Sequence, residues 1–66
     1  MKVCINGTEQ ILQEAATLTD ALELFQLSKK SIVVELNRQV VDRNLYAVTH
    51  LAENDTLEIV HFVGGG

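Results

Sequence analysis

Alternation of apolar and polar residues at the start of the chain predicts a β-hairpin. In the first strand, Met1 to Ile5, Val3 and Ile5 would lie on the core face and Cys4 on the outer face, because successive side chains of a strand point to opposite sides of the sheet. The dipeptide Asn6-Gly7 follows and favours a two-residue turn, since both turn positions need a positive φ. We therefore expect the chain to reverse direction directly after Ile5.

The second strand of this hairpin, Thr8 to Leu12, has two possible registers. A strict two-residue turn places Leu12 on the core face and leaves Ile11 outside, whereas a β-bulge reverses these two positions. The residues of the strand are compatible with either arrangement, so the sequence leaves both open.

Helical periodicity replaces the alternation after residue 16. Thr17 with Asp20 three residues later resembles a capping box, in which each side chain bonds to the other residue's backbone N–H at the start of a helix. We therefore predict a helix from about Leu18 to Leu27. Its buried face is formed by four apolar residues at positions i, i+3, i+4 and i+7, namely Leu18, Ala21, Leu22 and Phe25.

The second half of the chain returns to the alternation of strands. After the polar segment Ser28 to Ser31, residues Ile32 to Leu36 predict a third strand with Val33 and Glu35 on its outer face. The shorter features that follow are a turn at Asn37-Arg38, a short strand from Gln39 to Val41, one helical turn over Asp42 to Tyr46, and a core contact from Leu51.

The last predicted strand, Thr56 to Val63, has an unusual outer face. With Ile59 pointing inward, Val60 and Phe62 point outward, on the same face as Val33. Apolar side chains grouped on a solvent-facing surface often mark a protein interface, so we predict a docking patch here. The alternative is that the curvature of the sheet covers these side chains, because single exposed apolar residues are ordinary.

The order of elements predicts an α+β fold. A hairpin, then a helix, then further strands would form a mixed sheet of four to five strands with one main helix packed across one face. Because the helix follows the hairpin, the last strand can lie centrally beside the first, which is the ubiquitin-like β-grasp arrangement. We expect this domain to cover residues 1–63 and a flexible glycine tail to cover residues 64–66.

The tail, Gly64-Gly65-Gly66, would present a carboxylate on a thin stem. Without a Cβ, glycine adopts almost any backbone conformation and passes through a slot too narrow for side chains. Three extended residues reach about 10 Å. A carboxylate ionised at neutral pH is a poor electrophile, so acyl chemistry at Gly66 would need prior activation. The alternative interpretation is a frayed terminus or a generic linker.

Composition narrows the possible functions. The 66 residues carry a net charge of −4, which does not suit nucleic acid. No apolar run approaches the roughly 20 residues that span a bilayer, so we expect no membrane contact. A single cysteine agrees with a reducing compartment, and we expect a cytoplasmic location.

The residues that could carry chemistry in the folded body form no recognisable catalytic or metal pattern. Cys4 lacks a second nearby cysteine, and it behaves most simply as a packed or inert thiol. His50 and His61 do not have the spacing of zinc ligands. No glycine-rich phosphate loop precedes a helix, so we expect no bound cofactor, no ATP site in this chain, and no enzyme activity of its own.

Three blocks of the sequence resemble the ThiS family of bacterial sulfur carriers. They are Ile32 to Arg43, Glu53 to Asp55, and Glu58 to Gly66, the last ending His61-Phe62-Val63-Gly64-Gly65-Gly66. The length of the chain, the Asn6-Gly7 hairpin and the helix start at Thr17 agree with this resemblance. The final block is the specific part, because a diglycine end alone is shared with ubiquitin and with the small subunit of molybdopterin synthase.

The resemblance implies a role for the tail and a set of partners. A ThiF-like activating enzyme would consume ATP to adenylate the Gly66 carboxylate, which would then become a thiocarboxylate with sulfur drawn from cysteine by a desulfurase. The carrier would deliver this sulfur to thiazole synthase, ThiG. Gly64 and Gly65 would be the thread that enters the partner, and Val33, Val60, Phe62 and Val63 would contact its surface.

Three other functions stay open at the level of the sequence. A ubiquitin-like modifier would transfer activated Gly66 to a lysine, and the sulfur carrier of molybdopterin synthesis would use the same chemistry in another pathway. A β-grasp binding module with an incidental tail is the third. The short chain and the ending His61 to Gly64 favour the thiamine carrier.

Overall fold

The computed structural model describes residues 1–27 and 31–62, and it contains a five-stranded mixed sheet in the order β2-β1-β5-β3-β4. The prediction of a β-grasp fold is confirmed. Predictions for most of the segment 28–31 and for residues 63–66 lie outside the described residues. The elements are β1 Lys2–Ile5, β2 Thr8–Ile11, α1 Leu18–Leu24, β3 Ile32–Leu36, β4 Gln39–Val40, a 3-10 turn Arg43–Leu45, and β5 Thr56–His61.

The N-terminal hairpin has the strict two-residue turn. Ile5 lies opposite Thr8, and the two residues between them, Asn6 and Gly7, have φ values of 51° and 83°. Leu12 is therefore buried at 7% exposure, while Ile11 is 73% exposed. Of the two registers that the sequence left open, the one without a bulge is present.

The helix α1 begins as predicted and ends earlier than predicted. The Asp20 N–H donates to Thr17 Oγ1 at 3.2 Å and the Thr17 N–H donates to Asp20 Oδ2 at 2.9 Å, which completes the capping box. The end at Leu24 has a local cause. Gln26 adopts a φ of 61°, its N–H donates to Glu23 O, and the Leu27 N–H donates to Leu22 O at 2.7 Å, which is a Schellman ending.

The last strand lies at the centre of the sheet, as the order of elements predicted. On one side β5 runs parallel to β1, with Ile5 beside Leu57, and on the other it runs antiparallel to β3, with Val34 opposite Ile59. The core lies between this sheet and α1. Its most deeply buried large side chains are Leu18, Leu22, Leu57, Val3 and Val34.

The connection between β4 and β5 contributes more to the core than the sequence indicated. Leu51 is 5% exposed, as predicted. Tyr46 is also buried, at 9% exposure, directly after the 3-10 turn whose first residues are capped by Asp42. Ala16, just before α1, is also buried, and its carbonyl accepts from the Leu51 N–H at 2.8 Å.

Candidate docking face and exit strand

The face of the sheet opposite α1 carries an apolar group near the end of β5. Val60 is 52% exposed and Phe62 is 53% exposed. Val33 lies directly opposite Val60 in the antiparallel register and is half-buried. The structure therefore brings the three residues onto one face, and we call Val33, Val60 and Phe62 the outer patch. Val63, which was predicted to join them, lies outside the described residues.

The backbone beneath the outer patch stays in the sheet one residue beyond β5. The Phe62 N–H donates to Ser31 O at 2.9 Å, so Phe62 continues the ladder with β3. In an antiparallel ladder alternate residues bond to the same neighbour, and the backbone groups of Val60 therefore also face β3. The patch is presented by an ordered strand, which fixes where its side chains stand.

Two carboxylates border the outer patch. Glu35 and Glu58 are direct cross-strand partners, and they are adjacent in the register to the pair Val34 and Ile59. Both are on the outer face, because they stand two positions from Val33 and Val60 respectively. The ion pairs among the described residues are the Met1 terminus with Glu14 and Lys2 with Glu9, so neither of these two carboxylates takes part.

Sequence reasoning did not assign Val40 to this face. Val40 pairs with Glu35, so it lies on the outer face, and it is 69% exposed. The turn at Asn37-Arg38 was the signal that could have found it. A two-residue turn places residue 40 across from residue 35, and Glu35 was already expected to point outward.

Two turn asparagines bond to β5, and neither was recognised in the sequence as more than a turn residue. The Ile59 N–H donates to Asn6 Oδ1 at 2.7 Å, and Asn6 Nδ2 donates to Ile59 O at 3.2 Å. At the other end of β5, the Thr56 N–H donates to Asn37 Oδ1 at 3.0 Å. Both asparagines open a two-residue turn with positive φ, 51° for Asn6 and 50° for Asn37.

The other side chains considered for chemistry are not brought together. Cys4 is half-buried on the outer face, beside Thr56 and opposite Glu9. His50 forms an isolated antiparallel β-bridge with Thr17 at the start of the helix, whereas His61 lies opposite Ile32 in the sheet. Over residues 1–27 and 31–62, no group of three or more His, Cys, Asp or Glu residues is arranged to hold a metal ion.

The helix of the described structure is too short to cross a membrane. It covers seven residues, Leu18–Leu24, and no helix in residues 1–27 and 31–62 is long and apolar enough to span a bilayer.

Together these features define a small β-grasp domain whose central strand ends in an exposed apolar patch. The chain belongs to the ThiS family, whose model matches residues 2–66. The sulfur carrier protein ThiS of Bacillus subtilis is 39% identical over 54 residues, which cover 82% of each chain. A crystal structure of the thiamine biosynthesis protein ThiS from Geobacter metallireducens superposes with a TM-score of 0.83 at 28% identity, covering 100% of both chains.

Two further relatives are much longer proteins. The thiazole synthase of Magnetococcus marinus is 36% identical to this chain over 66 residues, and that of Paramagnetospirillum magneticum is 35% identical over 66 residues. In both comparisons all of this chain is matched, but it spans only 20% of the relative. A segment similar to this whole domain is thus part of each of those two thiazole synthases.

Proposed function

We propose that this chain is the sulfur carrier of thiamine thiazole biosynthesis and that it carries sulfur as a thiocarboxylate on Gly66. The observation that carries the proposal is the family match, which extends through the glycine tail to residue 66. The similarity to the Bacillus subtilis carrier and the full-length structural likeness to the Geobacter protein support it. In this proposal residues 1–63 are the docking body and residues 64–66 are the reactive tail.

The chemistry at Gly66 would proceed in three steps. A carboxylate oxygen attacks the α-phosphorus of ATP on a ThiF-like enzyme, pyrophosphate leaves, and an acyl adenylate forms. The terminal sulfur of a persulfide, which a desulfurase forms from cysteine, then displaces AMP to give an acyl disulfide. A thiol reduces its S–S bond, which releases the thiocarboxylate and leaves the sulfur donor in a disulfide with that thiol. Adenylation is needed because an ionised carboxylate resists attack by nucleophiles. The chain acts as a co-substrate in each step, binds no cofactor itself, and works in the cytoplasm where its enzymes and ATP are found.

The proposed recipient of the sulfur is thiazole synthase, ThiG. The two thiazole synthases that contain a segment similar to this chain support this pairing, because a carrier and its acceptor gain from a high local concentration when they share a chain. The outer patch would dock the body on each partner, with Gly64 and Gly65 threading into the recessed site.

Mass spectrometry of the intact protein tests the proposal. The chain is incubated with ATP, a ThiF-like enzyme, a cysteine desulfurase and cysteine. We expect a gain equal to the difference between sulfur and oxygen, located on Gly66 by fragmentation and absent when ATP is omitted. A deletion of Gly66 is the matched control. An unchanged mass would contradict the proposal, and isopeptide adducts on lysines of larger proteins would indicate a protein modifier instead.

A further inference from the structure

The last part of β5 has a strand on one side only. Its pairing with β1 ends at Leu57, beside Ile5, because the chain turns away at Asn6. Its pairing with β3 continues to His61. Since alternate residues of β5 face alternate neighbours, the backbone groups of Leu57 and Ile59 point toward β1 while those of Val60 point toward β3. At Ile59 the first strand has already ended.

The side chain of Asn6 takes the place of the missing strand. The Asn6 backbone N–H donates to Leu57 O at 2.9 Å, which is the last main-chain bond on this side. Two residues further along β5, the Asn6 carboxamide accepts from the Ile59 N–H at 2.7 Å and donates to Ile59 O at 3.2 Å. A carboxamide has the same donor and acceptor as a peptide group, so it extends the ladder by one more residue.

Asn37 makes a related set of bonds at the opposite end of β5. Its backbone N–H donates to Thr56 O at 2.8 Å, and its side-chain oxygen accepts from the Thr56 N–H at 3.0 Å. Its Nδ2 reaches Asp55 Oδ1 at 3.0 Å. The two asparagines thus bond to opposite parts of one strand. Of the two, Asn6 bonds near the end from which the chain continues toward Gly66, and there it adds to the pairing with β3.

We infer that Asn6 is a positioning residue for the reactive tail. It holds Ile59 on the side of β5 that β1 no longer covers, while the bond from the Phe62 N–H to Ser31 O holds the other side. The end of β5 is thus fixed from both sides before the chain continues toward Gly66. This inference rests on the proposed function. Without the carboxamide, β5 beyond Leu57 would be held only by β3, and the backbone groups of Ile59 would turn to water. The end of β5 would then move more freely. A docked domain would direct its tail into the partner's slot for a smaller fraction of the time.

The test compares Asn6→Gly with Asn37→Gly. Glycine accepts the positive φ of both turns, so each variant loses the side-chain bonds while keeping the turn. The rate of adenylation is measured against carrier concentration with a ThiF-like enzyme, at a temperature where both variants are folded. We expect Asn6→Gly to lower kcat roughly three- to tenfold with a smaller change in KM. Asn37→Gly should keep the kcat of the unmodified chain.

Amide hydrogen exchange supplies a second measurement that does not depend on the enzyme. In Asn6→Gly the Ile59 amide should exchange faster by about the same factor, whereas in Asn37→Gly the faster amide should be that of Thr56. Equal kcat values for the two variants would overturn the positioning role while leaving the proposed function intact. Failure of the unmodified chain to be adenylated would overturn both.

A milder substitution covers the case in which Asn6→Gly does not fold. Asn6→Asp keeps an oxygen that accepts from the Ile59 N–H but loses the donation to Ile59 O. We expect its kcat to fall by a smaller factor than in the glycine variant. A kcat equal to that of the unmodified chain would again contradict a positioning role for Asn6.

Discussion

At the residue scale, the outer patch makes a direct prediction about docking. Val60 is half exposed, so replacing it should change partner binding more than folding. We expect Val60→Asp to weaken binding to a ThiF-like enzyme by roughly tenfold or more, because a charge would be buried in an apolar contact. Isothermal titration calorimetry measures the dissociation constant.

The matched control for this substitution is Val48→Asp. Val48 is 66% exposed, but it lies in the connection after the 3-10 turn and not on the outer patch. Its substitution places the same charge on the same residue type and should leave the dissociation constant unchanged. Similar losses in the two variants would show that net charge, and not the patch, governs binding.

A second residue-scale prediction concerns the tail. Gly65→Val adds a branched side chain to the segment that we propose to thread into the activating enzyme. We expect adenylation, followed as pyrophosphate release, to fall below detection. The melting temperature should stay the same, because the proposal assigns residue 65 to the tail and not to the docking body. Normal adenylate formation by this variant would be incompatible with a narrow slot. The adenylation rate of Gly65→Ala should lie between those of the unmodified chain and Gly65→Val.

At the element scale, the capping box of α1 contributes to stability without touching the outer patch. Thr17→Ala removes the acceptor for the Asp20 N–H, which lies at 3.2 Å. We expect the free energy of unfolding to fall by about 1 kcal/mol. Urea denaturation measures this change, and Thr19→Ala, within the same helix turn, is the control. A loss in Thr17→Ala no larger than that in Thr19→Ala would count against the cap.

For the facing carboxylates of β3 and β5, we expect a substitution to stabilise the domain. Glu35 and Glu58 are directly opposite, and like charges in that position repel. We expect Glu58→Gln to raise the free energy of unfolding by about 0.2–1 kcal/mol at low salt, with the gain shrinking as salt is added. Glu23→Gln on the exposed face of α1 is the control. An equal gain from Glu23→Gln would assign the effect to net charge alone.

Local patterns predicted the elements well. They missed one unusual backbone conformation and the bonds that join distant parts of the chain. The Asn6-Gly7 turn and the alternation of β3 and β5 depend on neighbouring residues only, so the sequence contains them. The early end of α1 depends on Gln26, which takes a positive φ although it is not glycine. The bond from Asn6 to Ile59 crosses 53 positions, and no periodicity indicates it.

In the candidate site, too, some features follow from one strand alone and others need the pairing between strands. Exposure of Val60 and Phe62 followed from counting positions along one strand. The place of Val40 on the outer face needed the register of a second hairpin, and the Glu35–Glu58 pair needed the register between β3 and β5. The glycine tail made the Gly66 carboxylate a candidate, with a frayed terminus as the alternative, and the resemblance to a family then implied its role.

At the scale of the whole molecule, the position of β5 determines how the domain is assembled. In the sheet formed by the described residues, ordered β2-β1-β5-β3-β4, β5 is the strand that pairs with both hairpins. A chain that stops at residue 55 therefore has two hairpins and a helix but no continuous sheet. We expect such a truncation to be unfolded by circular dichroism. Native-like dispersion in its NMR spectrum would disprove this dependence.

Because β5 is central, the chain must include this strand both to fold and to be recognised by a partner. Pairing of β1 with β5 joins residues about fifty positions apart, so folding waits for contacts of long sequence separation. During synthesis, the strand that completes the sheet is the last one made. A chain cut short before it lacks Val60 and Phe62, two of the three residues of the outer patch, and we expect it to have no stable body. We therefore expect an incomplete copy not to compete with intact copies for their partners.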